Sequence, residues 1–249
     1  MPGPFVDAAA SLLLGAACPG CRTPCAGLCA RCAALLHGAE PFELPPVHGE
    51  APVVAAAAYA DVWQQCLVSY KERNGWWLGR ALGEALALAV ATAARRTGVP
   101  AGGVALVPMP SQPRSVRERG LDTTLTLARV AGRALVRAGI RCRVEPRLRH
   151  RRAVADQSEL SEAERRTNLA GALEARPLPP PPATDPMPVL RLVVDDLTTT
   201  GSSLREACRA LAGAGTPASA CAVVAATPLW RGVPTASGRR RPGEPAGNR

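Results

Sequence analysis

Two adjacent carboxylates, Asp195 and Asp196, close the apolar run Val189-Leu190-Arg191-Leu192-Val193-Val194 and are followed by Leu197-Thr198-Thr199-Thr200-Gly201-Ser202. An apolar run of that length suits one buried strand, and Ser202 and Ser203 open a helix-compatible stretch, Leu204 to Gly213. The order puts acids at the C-terminal end of a strand and backbone N–H groups at a helix N-terminus, where amides and helix dipole together suit a phosphate. Two acids beside such a cradle suit a ligand with both a phosphate and vicinal hydroxyls, a sugar phosphate. A single acid after a strand is common. A hydrophobic strand, Asp-Asp and Thr-Thr-Gly-Ser in register is a much rarer pattern than an ordinary strand and capped helix.

A second cluster suits a metal. Cys18-Pro-Gly-Cys21 and Cys29-Ala-Arg-Cys32 are two Cys-x-x-Cys knuckles seven residues apart. Each can offer two thiolates, and Cys18, Cys21, Cys29 and Cys32 together complete a tetrahedral zinc site with no position left for water, a structural site. Cys25 lies between the pairs as a spare or an alternative ligand. Cys66, Cys142, Cys208 and Cys221 are isolated on apolar stretches and read as core thiols.

Between the two clusters lie groups that could meet an anion. Val107-Pro108-Met109-Pro110-Ser111 ends a short apolar run, and Arg114, Arg117, Arg119 and Gly120 follow. Small residues and guanidinium forks can hold a pyrophosphate. Downstream come Arg151, Arg152, Gln157, Arg165 and Asn168. Lys71 stands out because the chain has 30 basic residues and the other 29 are arginine. A lysine kept in such a background is a candidate for contact with the ligand through its compact ammonium. The histidines, His37, His48 and His150, are scattered, and His150 sits among arginines and reads as a surface residue.

The phosphate-loop segment resembles the phosphoribosyl-pyrophosphate (PRPP) loop of type I phosphoribosyltransferases. In order along the chain, the two Cys-x-x-Cys knuckles, Tyr70-Lys71, Val107-Pro108-Met109-Pro110, Arg117-x-Arg119-Gly120, Gln157, Arg165-x-x-Asn168 and the Asp195-Asp196 loop resemble the ComF (GntX-like) family. These are phosphoribosyltransferase-like proteins with an N-terminal zinc module. The resemblance covers residues 15 to 228. It implies that Asp195 and Asp196 hold the ribose hydroxyls and the metal-bound water around them, and that Thr198, Thr199, Thr200, Gly201 and Ser202 bind the 5′-phosphate. Met109, Pro110 and Ser111 would form the pyrophosphate loop, with Arg119 on a mobile lid. The lid departs from the family's Arg-Gly-aromatic-Asn-Gln, because this chain has Arg119-Gly120-Leu121-Asp122-Thr123.

The reaction so implied is phosphoribosyl transfer from PRPP with magnesium. Asp195, Asp196 and Arg119 would be the catalytic residues, and the acceptor is open. A second reading stays open beside it: the family is associated with DNA uptake, so the chain would be a non-catalytic competence factor that uses PRPP only as a ligand. Its partners would then be single-stranded DNA or the uptake machinery. Only eight aromatic residues exist for base stacking, with Trp76-Trp77 the one evident platform.

These residues need elements to position them. Strands are expected over Pro52–Tyr59, Val104–Val107, Arg141–Val144 and Ala218–Ala226, and helices over Asp61–Lys71 (capped by Asp61), Leu78–Arg96, Asp122–Arg137 and Ser161–Thr167. Strands alternating with helices predict an α/β fold, type I phosphoribosyltransferase-like, with a mostly parallel sheet flanked by helices and a small zinc module in front. Residues 1–39 would carry that module, 40–52 a linker, and 53–230 the main domain with a proline-rich insertion at 176–188. Residues 231–249 would be a disordered basic tail.

The formal net charge is +10. Residues 95–152 hold 14 arginines against Glu118, Asp122 and Glu145, a local balance of +11, which suits a polyphosphate ligand or nucleic acid. No run of 18 uncharged apolar residues occurs, and the first 17 residues lack a leading basic cluster. The expectation is a cytoplasmic protein without a membrane span, whose nine cysteines serve as metal ligands and thiols more than as disulfides.

Overall fold

A computed structural model describes residues 16–47, 51–100, 102–151, 171–177 and 188–227. Within them the chain runs α1 (Ala30–His37), β1 (Phe42–Leu44), β2 (Val53–Ala58), α2 (Asp61–Glu72), a 3-10 turn (Trp76–Leu78), α3 (Gly79–Thr97), β3 (Val104–Pro108), α4 (Pro113–Arg119) and α5 (Thr123–Arg137). It continues through β4 (Cys142–Val144), β5 (Leu148–His150), β6 (Leu173–Ala175), β7 (Leu190–Thr198), α6 (Ser202–Gly213) and β8 (Ala220–Ala226). Six strands form one sheet in the order β1-β2-β8-β7-β3-β4. Every pairing is parallel except β1 with β2, and β5 and β6 make a separate antiparallel ribbon.

The sheet separates two cores. On one face Val54, Leu106, Leu192, Val194 and Val224 pack against Leu67, Leu82, Leu86 and Leu127, which come from α2, α3 and α5. On the other, Val53, Val107, Val193, Cys221 and Val223 pack against Leu204, Cys208 and Leu211 of α6 and against Leu148 and Leu173 of the ribbon. Burial of this kind explains why β2 and β8 read as unbroken apolar runs, since strands covered on both faces have no polar side to show. Each fully buried leucine contributes about 1.5–3 kcal/mol. Helices α3 and α5 approach so closely that a Cβ on Gly83 would stand 2.6 Å from Val130.

Residues 76–97, the turn and α3 together, are long and apolar enough to cross a membrane by length and composition alone. Some 67% of the qualifying window is buried inside the fold, as for a core helix.

Several elements differ from the sequence expectation. Phe42–Leu44, inside the stretch read as a linker, pairs as an edge strand. Asp61 lies within the first turn of α2 with φ 45°, and Ala60 takes the capping position without a side-chain bond. Pro113–Arg119, read as an arginine loop, is helical because proline suits its first turn and Gly120 takes the left-handed φ of 70° that ends it. The expected helix 161–167, Arg152, Gln157, Arg165 and Asn168 lie outside the described residues. So do most of the 176–188 insertion, the 231–249 tail and His48.

Candidate functional site

Strand β7 carries the two acids further than expected. It runs on through Thr198, pairing residue by residue with β8 until Thr198 meets Ala226, so Asp195 and Asp196 lie in the strand and point to opposite faces. Asp196 shares the face of Leu192 and Val194, is 4% exposed, and meets Lys71 Nζ at 2.8 Å. Asp195 shares the face of Val193, and its Oδ1 accepts a 2.9 Å bond from the Asp196 amide. Burial, then the adjacent Asp196 charge, holds the Asp195 carboxyl well above the usual carboxylate range against the pull of Lys71.

Lys71 reaches this place from the last turn of α2. Burial pushes its ammonium down, but Asp196 outweighs that and the net displacement is upward. The residue before it does a different job. Tyr70 is fully buried and its hydroxyl donates to the Thr123 carbonyl at 3.0 Å, tying α2 to the start of α5. Adjacent residues on one helix turn thus hold the scaffold and the acid separately.

A cavity of about 290 Å³ opens at the carboxyl ends of β3 and β7. Lys71, Met109, Pro110, Ser111, Arg119, Asp195, Asp196 and Thr199 line it together. Thr198, Thr200, Gly201 and Ser202 do not. Thr198 and Ser202 are buried, and Thr200 and Ser202 hydroxyls bond one another at 3.0 Å in the turn behind the cavity. Gly201 caps α6 in the left-handed region (φ 73°), with no side-chain cap bond to the first turn of the helix. Ser203, which lies one residue past the expected segment, lines the cavity.

Asp122, the residue that breaks the expected lid pattern, has two partners. Its Oδ1 accepts from the Leu125 amide at 3.0 Å, capping α5, and from the Ser111 hydroxyl at 2.8 Å. A carboxylate accepts both bonds, and the loop after β3 is thereby fixed to α5.

The opposite wall comes from the ribbon, whose Leu173 and His150 also line the cavity. Helix α6 anchors it: Glu206 Oε1 accepts from the Leu173 amide at 3.0 Å and Arg209 Nη2 donates to the Leu173 carbonyl at 2.9 Å. Burial raises the Glu206 carboxyl, but Arg209 and the backbone amides outweigh it and leave it below its usual range. His150 Nε2 lies 3.0 Å from the Pro110 carbonyl oxygen. The expectation of a surface His150 is therefore corrected: register with Leu173 turns it toward the loop after β3. Two adjacent arginines concealed this, because the ribbon strands are only three residues long and show no period.

The cysteine module forms a second site. Cys18, Cys21, Cys29 and Cys32 bring their sulfurs within 4.8 Å of one another, with Cys21 and Cys29 3.6 Å apart. Zinc bonds of about 2.3 Å in a tetrahedron put sulfurs about 3.8 Å apart, so this set could hold a metal such as zinc. Backbone amides already point at the thiols, as from Cys29 N to Cys18 Sγ at 3.4 Å and from Cys32 N to Cys29 Sγ at 3.5 Å. Bonds from Thr23 bring Cys21 down to about 6, whereas burial and then the neighbouring thiols push Cys32 far up. Four crowded thiols cannot all ionise without a cation among them. Cys25 stands outside the set and donates to the Gly27 carbonyl at 3.2 Å. Cys66 is a core thiol raised to about 12, chiefly by burial.

Neither a protein-family model nor a curated protein matches the chain.

Proposed function

We propose that the chain binds PRPP as its magnesium complex and transfers the phosphoribosyl group to a nucleophilic acceptor. The observation that carries this reading is the cavity at the strand ends, where Asp195, Asp196, Lys71, Arg119 and the Met109–Ser111 loop face one space. In this reading the two acids take the ribose hydroxyls and the metal-bound water around them. Lys71 holds Asp196 in place through their 2.8 Å contact, and Arg119 with the amides after β3 receives the pyrophosphate as it leaves. Thr199 and the uncapped amides at the start of α6 take the 5′-phosphate. Such a site works by positioning and by electrostatic stabilisation of the departing anion, with no protein nucleophile. The cysteine module, loaded with zinc, would be structural, since its four thiols fill the coordination sphere.

Calorimetry with Mg·PRPP on the wild type and on Asp195→Asn/Asp196→Asn tests the reading. Binding by the wild type that is lost in the double variant supports it. A folded, zinc-loaded wild type that does not bind removes it.

The second reading, a nucleic-acid-binding factor, has one observation in its favour. Trp76 and Trp77 are 48% and 52% exposed side by side, next to the cysteine module, with Gly27 near the Trp77 ring. Stacking on such a platform and contacts to phosphates predict affinity for single-stranded DNA that falls steeply with salt and is weakened by Trp77→Ala.

A further inference from the structure

Among the described residues one buried side-chain nitrogen or oxygen has no hydrogen-bond partner: Nδ1 of His150. Its ring is not free to choose its tautomer. Nε2 faces the Pro110 carbonyl at 3.0 Å, and a carbonyl only accepts, so Nε2 carries the hydrogen. In the neutral ring the lone pair then sits on Nδ1. A buried acceptor with nothing to accept costs free energy, and native structures keep few of them.

The position is also fixed. His150 ends β5 opposite Leu173, whose amide and carbonyl are both held by α6 through Glu206 and Arg209. Both residues line the cavity that holds the acids. The acids there offer acceptors, and none of the donors that line the cavity, Lys71, Arg119 and the hydroxyls of Ser111, Thr199 and Ser203 among them, bonds Nδ1. No described residue supplies the partner, and a bound molecule that carries a hydrogen would.

Building on the sugar-phosphate reading, we propose that His150 Nδ1 is a ligand-recognition group that accepts a hydrogen bond from an O–H or N–H of the molecule bound in the cavity. Two sources share this chemistry: a hydroxyl of the sugar phosphate, and the proton-bearing nucleophile that attacks it. In the second case the N–C1 bond forms and the C1–O bond breaks. Pyrophosphate leaves with the electron pair, and the proton of the nucleophile passes to Nδ1.

The experiment uses the full chain, with folding verified by circular dichroism, and two variants that split the imidazole. His150→Gln keeps a donor near the Nε2 position for Pro110 but has no atom at Nδ1. His150→Asn keeps an acceptor near the Nδ1 position and gives up the Pro110 bond. The probes are Mg·PRPP, read by calorimetry, and pyrophosphate release from it with hydroxylamine or azide, a nitrogen nucleophile with and one without a proton to lose. If the sugar is the source, His150→Gln weakens Mg·PRPP about fivefold to tenfold and His150→Asn much less. If the nucleophile is the source, both variants bind Mg·PRPP like the wild type. His150→Gln then slows hydroxylamine-dependent release about 100-fold and leaves the azide rate unchanged. Variants that match each other in both assays, or a loss confined to His150→Asn, overturn the proposal while leaving the sugar-phosphate reading in place. A wild type that does not bind Mg·PRPP at all removes that reading and this one with it.

Discussion

Replacing Lys71 by methionine removes the cation that, among the described residues, touches the buried acid. The side chain keeps nearly the same length and loses its charge, so Asp196, 4% exposed, is left without its 2.8 Å partner. Removing one member of a fully buried ion pair costs about 3–5 kcal/mol. Lys71 keeps 29% of its side-chain surface in solvent, so water screens part of the interaction and the expected loss is about 2–3 kcal/mol. For a domain of this size each kcal/mol moves the melting temperature by about 2–4 °C, so Lys71→Met should melt roughly 5–10 °C below the wild type. Asp196→Asn placed on top of Lys71→Met removes the stranded charge and should restore at least half of the loss. Scanning calorimetry on the wild type, both single variants and the double variant closes the cycle. A Lys71→Met protein that melts within about 1 °C of the wild type, with no recovery in the double variant, would refute the claim that this pair is a buried, coupled unit.

The remaining predictions concern the acids, the helix contact and the metal. Asp195 has a raised carboxyl, so the folded chain binds that proton more tightly than the unfolded chain. Stability should therefore fall as pH rises from the ordinary aspartate value of about 3.9 toward the raised one. Asp195→Asn should remove that slope and melt higher than the wild type at neutral pH, which a pH series of melting curves checks. Gly83→Ala should destabilise by about 1–3 kcal/mol in urea titrations despite alanine's better helix propensity, because its methyl would meet Val130 at 2.6 Å. Zinc measured by atomic absorption should be one per chain in the wild type and in Cys25→Ser, and absent from Cys32→Ser.

What the sequence disclosed follows from where the physical signal is local. The strand and helix around Asp195 were legible because an apolar run, a glycine and two serines sit next to each other. The cysteine cluster was legible because Cys-x-x-Cys is itself a local geometry. Lys71 showed through composition, as the one lysine in an arginine-rich chain. The wall of the cavity was not legible. Leu148–His150 and Leu173–Ala175 are short, lie 23 residues apart from His150 to Leu173, and are held in register by Glu206 and Arg209 from a third element. Tertiary contacts fix them, and no periodicity marks them. Asp122 misled for a related reason: its two partners, Leu125 and Ser111, explain a residue that motif comparison could only count as a departure.

Helix α2 carries Lys71 to the acids in its last turn and begins near the cysteine cluster, where Val62 packs on the cysteines and touches the space beside Gly20 and Cys32. Nine residues separate Val62 from Lys71, about 13 Å of helix rise. The helix is a strut with one foot in each site. If zinc at the cysteines and a ligand at the acids both acted on this helix, the coupling it carried would be equal in both directions.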